Sequence, residues 1–369
     1  MLVLSVLSLG LAGFASASPA APPSSGGLSI KITGPGKAVK SVGELKFTAE
    51  VSNAGSEDVK VLKYGTVLDD KLPTRAFNVM KGDKKVAFKG VETLFSAEDA
   101  DDSAYTVIPA GKSVSVTHQV ATLYDFHAEG TGTFTFEAVS NFKVSPSAKE
   151  RTSDTNALPV VQASTESVDV AITQDVGPRE LTRRVTNFCP EGDNKTFIDA
   201  SYQESKALSW FGLGHNLRYN GSDGIYQDYF GLNPVGAINE ALRTIAFEED
   251  PEIYTNCIDY YDSCASGVVG YWVPYFADVY YCKPFFHKHR ASSVCDDDFK
   301  VNALALRAVW TFNLLSRGTF GLVDIQSSCT LSKIIPDEYS IYNAPSYACF
   351  LLEIFRAEVC TAEPPIGRS

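Results

Sequence analysis

Histidine is scarce in this chain, and its distribution excludes the commonest zinc sites. Only five of the 369 residues are histidine, and none follows His289. The sequence contains neither H-E-x-x-H nor C-x-x-C, the short motifs that bring zinc ligands together. G-x-S-x-G, the P-loop and the dinucleotide fingerprint are also absent. A Ser-His-Asp arrangement stays open, because it is defined by geometry rather than by sequence order.

Positive charge is in deficit, which bears on the choice of partner. The chain has 32 Lys and Arg against 44 Asp and Glu, a net charge of −12 and a pI near 5.0. This balance argues against nucleic acid or an anionic membrane as a partner. No segment approaches the roughly 20 consecutive apolar residues that span a bilayer. We expect a soluble monomer whose partner, if it has one, is a peptide or a protein.

The N-terminus has the features of an export signal. An apolar run from Leu2 to Phe14 precedes Ala15-Ser16-Ala17, an A-x-A cleavage pattern, although no Lys or Arg comes before the run. We predict a signal peptide over 1–17 and a Pro/Ser/Gly linker over 18–27. The protein is therefore expected to be secreted.

Cysteine is missing from the first 188 residues, and all of it lies in the second half. An even number of cysteines in an exported chain predicts four disulfides, although sequence alone allows on the order of a hundred connectivities. Metal binding is the alternative, which the missing C-x-x-C disfavours. The eight are Cys189, Cys257, Cys264, Cys282, Cys295, Cys329, Cys349 and Cys360.

The sequence predicts an α+β protein with an N-terminal β-sandwich over 28–163. Apolar and polar residues alternate from Leu45 to Ser52, as they do on a strand with one buried face. A connector over 164–188 follows, and its Arg183-Arg184 pair is a candidate processing site, the alternative being two solvated arginines.

The segment 189–369 is predicted to be a mostly α-helical, disulfide-rich domain. Helices are expected over 198–208, 302–316 and 346–360, and another after Asn233-Pro234, from Val235 to Phe247. The segment 264–286, which lies in the sequence between the helices expected over 235–247 and 302–316, is expected to form a small hairpin or sheet.

The order of motifs in this half resembles one protease family. Cys295 is followed by Leu306–Thr311 (LRAVWT), then by Gly318-Thr319, then by Asn343–Tyr347 (NAPSY). This series is similar to that of the fungal deuterolysins and peptidyl-Lys metalloendopeptidases, the aspzincins. That family carries L-H-E-x-x-H, then G-T-x-D-x-x-Y, then N-A-D-S-Y on a final helix. The resemblance implies a metalloprotease-like fold.

The resemblance also implies a zinc site whose working residues have been replaced. Arg307 stands at the first ligand position, and a guanidinium has donors only. Ala308 replaces the general base, and Thr311 offers a neutral hydroxyl that zinc rarely selects. Gly321 and Asp324 replace the third ligand and a tyrosine. We expect no cofactor here, although active members use zinc, and we expect Arg307 to pair with Asp324 or another acidic group.

Further features follow from the same resemblance. The first half is similar to the family's prosegment, which is removed near Arg183-Arg184. Asn194 and Asn220 lie in N-x-[ST] sequons and are candidate glycosylation sites. The implied disulfides are Cys189–Cys257, Cys264–Cys282 and Cys295–Cys360, which leaves Cys329–Cys349.

Three hypotheses about function remain. The first is a secreted, catalytically inactive relative of these zinc proteases that acts by binding a peptide, protein or cell-wall partner. The second is an active secreted metalloendopeptidase with a non-standard site, in which His287 and His289 are the ligands because i and i+2 share one face of a strand. The third is a fold that persists without a selected function.

Overall fold

The computed structural model describes residues 27–96, 99–145, 158–177, 189–247, 254–276, 278–287 and 329–360. Strands dominate the N-terminal half. They are β1 (Leu28–Thr33), β2 (Ala38–Ser41), β3 (Lys46–Asn53), β4 (Val59–Leu62), β5 (Phe77–Lys81), β6 (Lys84–Lys85), β7 (Glu92–Phe95), β8 (Tyr105–Ile108), β9 (Ser113–Gln119), β10 (Gly132–Ala138), β11 (Asn141–Ser145), β12 (Val160–Gln162), β13 (Ser164–Thr165) and β14 (Val168–Asp175). One short helix, α1 (Phe126–Glu129), lies before β10.

Three sheets of this half share one apolar core. Their strand orders are β13-β1-β3-β9, β2-β14-β10-β5-β6 and β12-β11-β4-β8. The predicted alternation on β3 is confirmed, because Phe47, Ala49 and Val51 are fully buried. The Phe47 ring packs on Phe136 with centroids 4.5 Å apart. Strand β14 pairs with β10 and β2, so the strands of this half extend past residue 163.

The C-terminal half combines helices with a small sheet. Its elements are α2 (Asp193–Tyr219), α3 (Gly224–Phe230), α4 (Val235–Ala246), β15 (Tyr254–Asn256), β16 (Val268–Val273), β17 (Asp278–Tyr281), a 3₁₀ turn (Lys283–His287), α5 (Cys329–Ser332), α6 (Asp337–Ser340), α7 (Ala344–Phe355) and a π-helical turn (Arg356–Cys360). The helix after Asn233-Pro234 and the antiparallel hairpin β16–β17 confirm the sequence predictions. The predicted helix over 302–316 lies outside the described residues.

Two backbone positions show how the sequence ends these helices. Asn220 adopts φ 50° after α2, and its amide donates to the Asn216 carbonyl. Gly231 adopts φ 53° after α3, where a Cβ would run into the Asp337 carboxylate. Only a residue without a side chain fits that left-handed, crowded position.

The α+β class is confirmed, while its finer division is not. The C-terminal half contains a sheet of order β15-β17-β16-β7, whose last strand comes from the N-terminal half. A purely sandwich-like first half and a mostly helical second half are therefore not confirmed. No helix among the described residues is long and apolar enough to cross a membrane.

Disulfides join the elements of the second half. The structure pairs Cys189 with Cys257, Cys264 with Cys282, and Cys329 with Cys349, as the resemblance implied. Cys360 is also disulfide-bonded. Its expected partner, Cys295, lies outside the described residues.

Candidate functional site

The positions that the resemblance assigns to the zinc site are not among the residues that the structure describes. This applies to Arg307, Ala308, Thr311, Gly321 and Asp324, and equally to His289 and the Arg183-Arg184 pair. The expected ion pair between Arg307 and Asp324 therefore stays a prediction. His287 is described, and it ends the 3₁₀ turn after β17 with its side chain exposed.

The N-A-x-S-Y segment near the C-terminus serves packing. Asn343 is fully buried, and its Nδ2 donates to Ser332 Oγ at 3.1 Å and to Ser346 Oγ at 2.9 Å. The Tyr347 hydroxyl donates to the Ile341 carbonyl at 2.9 Å. Burial raises the pKa of Tyr347 above its ordinary value, so the phenol stays a donor. These contacts fix the start of α7.

Helix α7 is the buried centre of this half. Phe350, Leu351 and Ile354 lie in the same core as residues of α2, α3 and α4. Gly212 on α2 faces Leu351 so closely that a Cβ there would collide with the leucine side chain. Glycine therefore lets the two helices approach at this point.

A second group of polar residues surrounds His215 on α2. Its Nδ1 lies 2.5 Å from Glu358 Oε1, and its Nε2 lies 3.2 Å from Asp223 Oδ2. Arg218 contacts the second Glu358 oxygen at 2.9 Å. The His215 side chain is 4% exposed, and the Tyr219 ring lies tilted against it with the ring centroids 4.6 Å apart.

This cluster ties the C-terminal turn to α2. Asp223 also caps α3, since its Oδ1 accepts from the Tyr226 amide. The contact of His215 Nδ1 with Glu358 and the Asp223 cap on α3 together act as a clamp between α2, α3 and the turn that carries Glu358. Sequence patterns did not predict this cluster, because Glu358 lies 143 residues from His215.

The residues that the resemblance assigns to the zinc site differ in chemistry from zinc ligands. Among the described residues, no group of three His, Cys, Asp or Glu could hold a metal ion. The resemblance would place Arg307, Thr311 and Gly321 at the three ligand positions. A guanidinium, a neutral hydroxyl and a hydrogen do not replace imidazole and carboxylate ligands.

Comparison with known proteins identifies the family. The profile of the deuterolysin metalloprotease (M35) family matches residues 1–350. This chain belongs to that family. A "Neutral protease 2 homolog" of Pyricularia oryzae is 25% identical over 267 residues, 70% of this chain and 74% of the relative.

Two peptidyl-Lys metalloendopeptidases are similarly related. The one from Grifola frondosa is 26% identical over 274 residues, 70% of this chain and 75% of the relative. The one from Armillaria mellea is 28% identical over 222 residues, 53% of this chain and 61% of the relative. Identity at this level accompanies a shared family and leaves room for replaced site residues.

Proposed function

We propose that this M35-family chain is a secreted, catalytically inactive relative that acts by binding a peptide, a protein or a cell-wall component. One observation carries the proposal: the ligand and base positions hold Arg307, Ala308, Thr311 and Gly321, and no histidine follows His289. A shift of alignment by a residue or two cannot restore two imidazoles there. Without them, a zinc-bound water has no support.

The rest of the proposed organisation follows the sequence. The signal peptide spans 1–17 and the linker 18–27. A β-sandwich resembling a prosegment begins at residue 28, and the chain is cut after it near Arg183-Arg184. A mostly helical, metalloprotease-like domain spans 189–369 and is glycosylated at Asn194 and Asn220. The exposed positions of both asparagines on and after α2 support glycosylation. The protein works as a monomer, without nucleic acid or membrane.

Metal analysis of the purified full chain, with a protease assay alongside, tests this function. We expect no stoichiometric zinc and no cleavage of a denatured protein. The matched control carries Arg307→His, Ala308→Glu, Thr311→His and Gly321→Asp, which restore the family's donor set. We expect this variant to take up zinc in the same preparation.

The alternative is an active metalloendopeptidase, favoured by the names of its relatives, with ligands at His287 and His289. It requires the unmodified chain to hold zinc and the His287→Ala, His289→Ala double variant to lose it. Stoichiometric zinc together with cleavage by the unmodified chain would refute the proposal of inactivity. Zinc uptake that survives the double variant would refute the alternative as well.

A further inference from the structure

Strand β7 belongs to the first half by sequence and to the second half by pairing. Among the described strands it pairs only with β16, antiparallel, with Thr93 opposite Tyr271 and Glu92 opposite Trp272. Neighbouring strands of the first half form their own three sheets. The N-terminal half thus contributes one strand, β7, to the C-terminal sheet.

Leu94 fixes β7 against the C-terminal sheet. It lies opposite Gly270, which has no side chain to compete for the space. The Leu94 side chain is 1% exposed and belongs to the core that includes Val269, Trp272 and Val279. Among the described residues of the first half, Leu94 is the one that belongs to this apolar core of the second half.

The N-terminal half also covers one face of the same sheet. Leu62 and Tyr64 share a buried cluster with Tyr271 and Tyr280, whose rings stack at 4.7 Å. Val91, Ala104 and Val273 complete the buried contacts at this face. The N-terminal half thus covers both the β16 edge and one face of the C-terminal sheet. A buried apolar contact of this kind is typical of a stable interface.

Polar contacts fix the register of the two halves. The Ser96 amide donates to the Gly267 carbonyl at 2.7 Å, and the Asp101 amide donates to Ser266 Oγ at 2.8 Å. At the other end of the hairpin, the Tyr275 hydroxyl donates to an Asp125 carboxylate oxygen at 3.1 Å.

We propose that the N-terminal half binds the β16 edge through β7 and stays bound after the connector is cut. Strand β7 thereby prevents other extended peptides from pairing with this edge. A free sheet edge presents unpaired amides and carbonyls that an added strand can satisfy, with side-chain pockets setting its sequence. The buried Leu94 fills the space opposite Gly270, so a large apolar side chain suits this position of an added strand. The proposal concerns binding and holds whether or not the chain cleaves peptides.

Cutting the full-length chain within 178–188 tests the proposal. A recognition sequence for a site-specific protease is placed in this connector, and the nicked protein is analysed by gel filtration at about 1 μM, the scale of a moderately tight complex. All cysteines lie after residue 188, so no disulfide can hold the two fragments together. We expect the fragments to co-elute.

The variant Leu94→Ala measures how much the Leu94 side chain contributes to association of the two fragments, and Val160→Ala is its control. Loss of a buried leucine side chain should weaken fragment association by at least about thirtyfold. Val160 is 37% exposed on β12, away from β16, so its truncation should leave association within about twofold. Gly267→Ala supplies a second variant that acts from the other fragment, since a Cβ there would meet Phe95 and Ala100.

A labelled peptide of residues 90–96 tests the closed edge directly. It should bind the Leu94→Ala fragments and be excluded from the nicked parent, and the same peptide carrying Leu94→Asp should not bind. Separation of the parent fragments at about 1 μM would overturn the proposal. Equal association in Leu94→Ala and Val160→Ala, with near-UV circular dichroism unchanged, would also overturn it. Catalytic activity plays no part in these readouts, so they are distinct from the zinc test.

Discussion

Gly267 offers a quantitative test of how tightly the two halves meet. It adopts φ +76°, and a Cβ there would lie 2.5 Å from Phe95 Cε2, 2.7 Å from Ala100 Cβ and 2.8 Å from the Ser96 carbonyl oxygen. Contacts this short force a neighbour to move. Gly267→Ala should therefore cost about 1–2 kcal/mol for the left-handed backbone and a further 1–3 kcal/mol for overpacking.

Gly82 is the matched control for this substitution. Its φ is +58°, and nothing lies within 4 Å of an added Cβ. Gly82→Ala should lower the free energy of unfolding only by the backbone term of about 1–2 kcal/mol. The difference between the two variants isolates the clash between the halves, since the backbone cost is common to both.

Urea unfolding of the two full-length variants, with disulfides intact, measures this difference. Far-UV circular dichroism follows the whole fold, and fluorescence of Trp272 on β16 contributes a signal from the affected sheet. We expect Gly267→Ala to lose about 1–3 kcal/mol more unfolding free energy than Gly82→Ala. If the two variants agree within about 0.5 kcal/mol, the close packing of Gly267 against β7 and Ala100 is wrong.

Two further predictions concern buried histidines. Glu358→Gln removes the carboxylate that contacts His215 and pairs with Arg218, and it should lower the unfolding free energy by about 1–3 kcal/mol. Glu338→Gln at an exposed site should change the unfolding free energy by less than about 0.5 kcal/mol. Equal losses in urea titrations would contradict the clamp. Burial lowers the pKa of His118, whose Nε2 lies 2.9 Å from the Val67 carbonyl. The unfolded chain then binds the proton more readily, so stability is present above about pH 6.5 and falls as the pH drops below it. His118→Gln keeps a donor without titrating, and a stability slope unchanged from pH 7.5 to 5.5 would refute this assignment.

Local patterns predicted several elements of the fold well. The alternation from Leu45 to Ser52 led to β3, because burial on one side of a sheet leaves a period of two in the sequence. Pro234 marked the start of α4, because proline fits the first turn, where its missing amide costs nothing. Such signals lie within a few residues of the structure that they predict.

The extent of α2 shows where local signals fail. A helix was expected from Ile198 to Leu208, and the structure extends it from Asp193 to Tyr219. Gly212 and Gly214 lower the intrinsic helix propensity of the added part. The contact of Gly212 with Leu351 explains why glycine is nonetheless suited there, and that contact joins two segments far apart in sequence.

Strand β7 escaped the sequence analysis for a related reason. Its four residues, Glu92–Phe95, show no clear alternation, and the partner that makes them a strand is β16. Leu94 faces one core and Phe95 packs against another, so both neighbouring residues are drawn inward. A period of two cannot appear in a strand whose two faces are both covered.

In the C-terminal half, residues that hold the fold together are distinct from the positions assigned to metal binding. Asn343 and Tyr347 make buried hydrogen bonds to Ser332, Ser346 and the Ile341 carbonyl, so the start of α7 depends on them whether or not a metal is present. Loss of such a buried donor leaves its partner unsatisfied at a cost of about 1–3 kcal/mol. A metal ligand in a fold held by disulfides and a core carries no comparable packing constraint. The proposed replacement of the ligand positions by Arg307 and Thr311 is therefore compatible with a frame that stays intact.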